Sequence, residues 1–328
     1  MVPSTMPEPG GGSVHSGGMG AADDRAPKVL YIVGKGRSGS TLLDIVLGEI
    51  DGFFSTGQLR TLWRSGLINR YDCGCEVPVP ECEVWSAVLK EAFDPLPDPR
   101  RILRLQEGVL SWRSAPRVLR AARRGDAGWP ELREYGRILE TLYRAIASVT
   151  GARVIVDSSK APVHPGSVGL VPGIVPYVVQ LVRDPRAVAY SWRRRKALTG
   201  RGEMKEMPRF GPIYSGVSWL VRNVAAERTR GRLDPGRSMV VRYEDLAGRP
   251  EETVSAITRM LGEDVPLPFL DERTVKLSTN HTVSGNPIRT TIGEIELRPD
   301  REWAERIRPW DRRVVSVLTG PVRRRYGY

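Results

Sequence analysis

Lys28-Val29-Leu30-Tyr31-Ile32-Val33 runs directly into Gly34-Lys35-Gly36-Arg37-Ser38-Gly39-Ser40-Thr41, and Leu42, Leu43, Ile45, Val46 and Leu47 follow. A short apolar run of this kind suits a strand buried on both faces, and the spacing of the later apolar residues suits a helix. The glycines and hydroxyls between them suit a tight loop. The unit is therefore strand, loop, helix, in which loop N–H groups and the helix N-terminus can wrap an anion. Against the NTP-binding pattern GxxxxGK[ST] the spacing from Gly34 to Gly39 fits, but Ser40 stands where the phosphate-binding lysine belongs. A cation comes earlier, from Arg37, and hydroxyls come from Ser38, Ser40 and Thr41. That donor set suits a smaller anionic group without a γ-phosphate.

Working outward, strand-like runs recur at residues 153–156, 177–182 and 238–241, each closing on a polar loop and a helical segment. Alternation of strand and helix predicts an α/β fold, a parallel sheet covered by helices on both faces. Residues 59–150 read as a helical insertion, broken near Pro78, Pro95 to Pro99, Pro116 and Gly128. The C-terminal part holds a polar loop at 278–293, a short apolar run at 295–297, and a helix opening near Pro299 and Asp300. Residues 1–26, rich in Gly, Ser, Pro and Met, bury too little to offset the entropy of ordering and are expected to be a disordered tail. The remaining 27–328 form one domain in this reading.

A second anion motif is Val182-Arg183-Asp184-Pro185-Arg186-Ala187-Val188-Ala189-Tyr190-Ser191. Here a strand ends in arginine, Asp184 can cap a helix, and Pro185 fits its first turn. Arg183 at the strand edge and Ser191 two turns into the helix can converge on one phosphate. A surface Arg–Asp pair with an exposed serine is the plainer alternative.

Bulk properties narrow the partners. The 328 residues carry 50 Lys plus Arg against 38 Asp plus Glu, a formal charge of +12. This is compatible with a phosphate- or sulfate-rich ligand and equally with a solvated basic surface. Nucleic-acid binding is not expected, since 7% aromatic residues show no basic stripe with interleaved rings. The longest apolar stretch, 168–182, is interrupted by Pro172, Gly173 and Pro176, so no membrane span is expected, and the reading is a soluble, cytoplasmic protein. Cys73, Cys75 and Cys82 lie within ten residues, with no histidine near them in sequence. A metal site lacks a fourth ligand, so a reduced cluster or one labile disulfide ranks above it.

The order of these motifs resembles the sulfotransferases that use 3′-phosphoadenosine 5′-phosphosulfate (PAPS). Gly36-Arg37-Ser38-Gly39-Ser40-Thr41 resembles their 5′-phosphosulfate loop, and Arg183 with Ser191 resembles their 3′-phosphate pair. Val241-Arg242-Tyr243-Glu244-Asp245-Leu246, followed by Pro250-Glu251, resembles their R-Y-E-D-L segment. Asp157-Ser158-Ser159-Lys160, the loop His281-Thr282-Val283-Ser284-Gly285-Asn286-Pro287 and Trp303 resemble bacterial members. The resemblance covers about residues 28–325. It implies a single P-loop-NTPase-like α/β domain related to nucleotide kinases, PAPS as co-substrate, in-line sulfuryl transfer to a hydroxyl of a small molecule, glycan or lipid, and no metal. It also implies that Lys160 stabilises the transition state, where charge builds on the bridging and equatorial oxygens.

The general base departs from the pattern. Relatives place a glutamate in the segment after the first helix, where Ser55-Thr56-Gly57-Gln58-Leu59 has glutamine. Other sulfotransferases use a histidine beyond the lysine-bearing strand, so His164 is the first candidate and His281 the second, with a structural role open for each. Two other functions stay in play. Val154-Ile155-Val156-Asp157 reads like a Mg²⁺-holding strand of a small-molecule kinase, although the loop lysine is absent. A non-catalytic nucleotide-binding module is the other. The acceptor is not legible; Trp63, Trp85, Trp112 and Trp129 suit core packing or an apolar pocket.

Overall fold

The computed structural model describes residues 26–124, 128–194, 197–198, 205–206 and 208–328. The expected tail therefore lies outside the described residues, apart from Ala26. Five strands form one parallel sheet: β1 (Lys28–Gly34), β2 (Phe53–Ser55), β3 (Val154–Asp157), β4 (Val175–Val182) and β5 (Ser238–Arg242), in the spatial order β2-β3-β1-β4-β5. β1 sits at the centre, pairing Lys28 with both Val154 and Val175.

Alternation along β1 decides the two layers. Val29, Tyr31 and Val33 face a core shared with the insertion helices, whereas Leu30 and Ile32 face the opposite core. All five are at most 2% exposed, so Leu30→Ala would remove about 2–5 kcal/mol of stability. The first face is covered by α5 (Pro130–Thr150) and α7 (Pro212–Arg230), the second by α1 (Ser40–Gly48) and α9 (Pro250–Leu261). The sequence expectation of an α/β fold with a parallel sheet between helices agrees with this architecture.

Between β2 and β3 the chain forms α2 (Glu83–Ala92), α3 (Pro99–Leu110), α4 (Ala115–Arg124) and α5. Their apolar faces join the first core, with Trp63, Trp85 and Trp129 buried in it. Trp112 is exposed, with the Arg222 guanidinium over its ring at 5.3 Å. After β4 comes α6 (Pro185–Arg193), which Asp184 caps by accepting a bond from the Arg186 N–H. After β5 come α8 (Tyr243–Gly248), α9, the antiparallel pair β6 (Thr274–Leu277) and β7 (Gly293–Glu296), then α10 (Glu302–Arg306) and α11 (Pro309–Arg325). Among the described residues no helix is long and apolar enough to cross a membrane.

Candidate active site

The loop between β1 and α1 is shaped by its close neighbours. Gly34 has φ 137°, and a Cβ there would lie 2.4 Å from the Leu181 carbonyl oxygen, so only glycine fits beside β4. Gly39 adopts φ 89° at the helix start and touches the Tyr243 ring. Arg37 is left-handed at φ 75°, a conformation disfavoured for a residue with a Cβ and held here by its surroundings. Its guanidinium donates to Asn286 Oδ1 at 2.8 Å and lies 4.9 Å from the Trp192 ring. Among the described residues the Ser38 and Ser40 hydroxyls are buried without a hydrogen-bond partner. Two such hydroxyls at a helix N-terminus have the chemistry that suits an anion.

This loop opens on a cavity of about 430 Å³. Arg37, Gly39 and Thr41 line one side, and Arg183, Ser191 and Tyr243 line the other. The Arg183 guanidinium is buried, donating to the Arg37 carbonyl at 3.1 Å and to Asp300 Oδ2 at 2.9 Å, and it stacks 4.1 Å from the Tyr243 ring. The two anion motifs, more than a hundred residues apart, thus share one hollow.

Beside the loop stands a cluster of cations. Lys35 donates to Ser218 Oγ at 2.8 Å and lies over the Trp192 and Tyr214 rings. Burial, then the charge of Arg222, pushes its pKa down to about 8. Lys160, at the end of β3, has φ 57°, and Arg222 donates to its carbonyl. Burial also takes the Lys160 ammonium down to about 8; Asp44 opposes this, while Arg60, Arg37 and Arg222 add to it. Asp44, fully buried on α1, is raised to about 7 by burial, against the influence of Ser55 and Lys160. Lys160 thus feels the positive charges of Arg60, Arg37 and Arg222 against a single acid, Asp44, a balance that favours an added anion.

A family model described as the sulfotransferase family matches residues 29–266, from β1 through α9. The chain belongs to this family. Sulfotransferases transfer sulfuryl groups and generally take them from PAPS. The chain is similar to the solved sulfotransferase domain from the curacin biosynthetic pathway, at 18% identity over 89% of this chain and 98% of that one, with a TM-score of 0.45. It is similar also to the sulfotransferase domain of the Synechococcus olefin synthase, at 17% identity, 90% and 95% coverage, and a TM-score of 0.37. A sulfotransferase from Mycobacterium avium matches at 14% identity, 75% and 65% coverage, and a TM-score of 0.38. No curated protein matches the chain.

Of the residues singled out in the sequence, Arg37, Gly39, Thr41, Arg183 and Ser191 line the cavity of this sulfotransferase, and Gly36, Ser38 and Ser40 complete its loop. The two candidate bases are elsewhere. His164 is 2% exposed, sits against the rings of Tyr31 and Tyr135, and accepts the Gly166 N–H at Nδ1. Burial, aided by the charge of Arg60, drives its pKa down to about 3. The sequence offered His164 as the first candidate base; in this structure its imidazole is sealed, engaged by its own turn, and not among the residues that line the cavity. His281, the second candidate, lies among Cys73, Cys75 and Cys82 and is not among the residues that line the cavity. Asp157, the residue behind the kinase reading, is buried and accepts from the Tyr143 hydroxyl and from the Ser159 N–H and hydroxyl. It closes the β3 turn and is not free for a metal ion.

Several site residues escaped the sequence reading. Lys35 stood inside the loop quoted from the sequence, and Tyr243 and Asn286 inside segments already matched, but nothing in their spacing gave them a role. Asp44 and Asp300 carried no motif at all, and their positions follow only from the packing of α1 and of the segment before α10.

Proposed function

We propose that the protein is a PAPS-dependent sulfotransferase acting on a hydroxyl acceptor. The observation that carries this reading is the single cavity bringing Arg37, Gly39 and Thr41 together with Arg183 and Ser191. In this reading the 5′-phosphosulfate occupies the loop, where Arg37, Ser38, Ser40, Thr41 and the first N–H groups of α1 hydrogen-bond its oxygens. The 3′-phosphate takes Arg183 and Ser191, and Tyr243 supplies a flat wall for the adenosine. Lys160, which feels the charge of Arg37 in the loop, is assigned the charge that develops as the acceptor oxygen bonds to sulfur and the bond from sulfur to the phosphate oxygen breaks. The products are the sulfated acceptor and adenosine 3′,5′-bisphosphate. The acceptor's proton is released as the third product and passes to solvent, and neither histidine, being off the cavity lining, is assigned to take it. The acceptor class is a hydroxyl on a small molecule, glycan or lipid.

A kinase reading is disfavoured by Ser40 in the lysine position and by the engagement of Asp157 with Tyr143 and Ser159. Titration calorimetry in magnesium-free buffer separates the two. Adenosine 3′,5′-bisphosphate should bind without added divalent ion, and sulfuryl transfer from radiolabelled PAPS to an extract of hydroxyl compounds should follow. Tight binding of ATP with Mg²⁺ and none of the bisphosphate would replace this reading with the kinase. Bisphosphate binding without any transfer would favour the non-catalytic module.

A further inference from the structure

Cys73, Cys75 and Cys82 are far in sequence from any histidine, but the fold brings His281 to them across 199 positions. The three sulfurs and a His281 ring nitrogen all lie within 4.8 Å of one another. His281 Nδ1 is 3.3 Å from Cys82 Sγ and 3.9 Å from Cys73 Sγ, and Cys75 Sγ is 3.7 Å from Cys82 Sγ. A zinc ion with Zn–S near 2.3 Å and Zn–N near 2.0–2.1 Å requires tetrahedral edges of about 3.5–3.8 Å. The observed separations bracket those edges. They are far too long for a disulfide, whose sulfurs sit about 2.05 Å apart.

We propose that Cys73, Cys75, Cys82 and His281 form a structural zinc site that fastens the segment 278–290 to the helical insertion. The backbone around them is already fixed in the form such a site needs. Cys73 N–H donates to the Val77 carbonyl and Glu76 N–H to the Cys73 carbonyl, making a tight knuckle that carries two sulfurs. Cys82 is the N-cap residue of α2, so the third sulfur sits on a helix start. Two further bonds flank the cluster: Trp85 Nε1 donates to the His281 carbonyl at 2.6 Å, and Gly74 N–H to the Thr282 carbonyl at 2.9 Å. The Arg289 guanidinium donates to the carbonyls of Asp72 and Thr282. It stands where its charge offsets the net negative charge of three thiolates around a divalent ion. Cys73 and Cys82 are buried, whereas Cys75 and His281 are half-buried, which leaves a side for the ion to enter.

The fastened segment matters because it reaches the donor loop. Asn286 N–H donates to Thr41 Oγ1, and Asn286 Oδ1 accepts from Arg37. Gln58 N–H donates to the Ser284 carbonyl, and Val283 N–H to the Thr56 carbonyl. The metal therefore holds one end of a strap whose other end rests on Arg37.

The test uses the full chain purified without chelator. Elemental analysis should find close to one zinc per chain, and exchange with Co²⁺ should give thiolate-to-cobalt charge transfer and the strong visible absorption of a tetrahedral ion. Cys75→Ser and His281→Gln should each weaken zinc affinity by on the order of 100-fold or more. Hydrogen exchange at 278–290 should quicken when the metal is removed. Because metal content is read without donor or acceptor, its outcome is separate from the sulfuryl-transfer reading. A metal-free protein with three freely alkylated thiols, or with two thiols alkylated only after reduction, overturns the site. So does zinc content that neither substitution alters. Unchanged exchange at 278–290 after metal removal overturns the fastening.

Discussion

Arg183 is held on three sides, by the Arg37 carbonyl, by Asp300 and by the Tyr243 ring, and it is buried before any ligand arrives. A charge fixed in this way gives specificity for an anion at one point of the cavity. Arg183→Ala should lower affinity for adenosine 3′,5′-bisphosphate by about tenfold or more, the loss of a charged hydrogen bond worth about 1.5–3 kcal/mol. Affinity for AMP, which lacks the 3′-phosphate, should hardly change in the same calorimetric titrations. Lys160 makes a pH-dependent prediction. With its pKa held to about 8, its charge is lost as pH rises through that value, and kcat/KM for PAPS should fall with it. The unfolded chain keeps the proton up to the ordinary lysine value of 10.5, so the same shift makes stability rise across that window while activity declines. Lys35 loses charge in the same range, and Lys160→Arg assigns the limb: the guanidinium stays charged, so the decline should vanish if Lys160 causes it. Lys160→Ala should slow turnover by about 10²–10³-fold. His164 behaves differently again. Its folded pKa of about 3 lies below the ordinary 6.5, so the unfolded chain binds the proton first and stability is lost as pH falls from 6.5 toward 3. His164→Ala should lower the thermal midpoint by an amount equivalent to about 2–4 kcal/mol, as truncation in a packed core does. The folded enzyme should keep its bisphosphate affinity. A well-folded His164→Ala enzyme with turnover cut by about 10²–10⁴-fold would restore His164 as the base.

At the level of elements, the junction of β1 and α1 tolerates little. A Cβ on Gly39 would lie 2.6 Å from Tyr243 Cδ2, and the residue is at φ 89°. Gly39→Ala should displace the Tyr243 ring that backs Arg183 and weaken bisphosphate binding, measurable alongside Arg183→Ala. What could be read in the sequence follows from how local each element's cause is. β1, β4 and α6 declare themselves through largely apolar runs, a glycine loop and an Asp-Pro helix start. β2 has only three residues, Phe53–Ser55, and no run that short outweighs the turn residues around it. Arg37 and Ser191 were readable because motif spacing carries them. Asn286 was visible as part of a polar loop, but its contact with Arg37 depends on how that loop lies across the junction of β1 and α1. The inward position of His164 has the same origin. Four residues after Lys160 puts it near the strand end in sequence, whereas the turn through Pro165 and Gly166 directs its ring inward against Tyr31.

Across the whole molecule, the α/β class was legible because strand and helix alternate along the chain, and the grouping of cysteines with His281 was not, because no local rule links positions 199 apart. The strand order has a consequence for synthesis. Among the described residues β1 is the earliest strand, is almost fully buried in the finished sheet, and pairs with β3 and β4 alone. Its first partner follows on the order of 120 residues later, beyond the whole helical insertion. At ordinary translation speeds that is an interval on the order of ten seconds. During it an apolar strand and its glycine loop have left the ribosome with no sheet to join, while the helices of the insertion can form from local contacts. Nascent chains stalled before β3 emerges should be cleaved readily at β1 by added protease, and chains stalled beyond β4 should be protected there. The period between those two lengths is when a ribosome-bound chaperone has most to do for this protein.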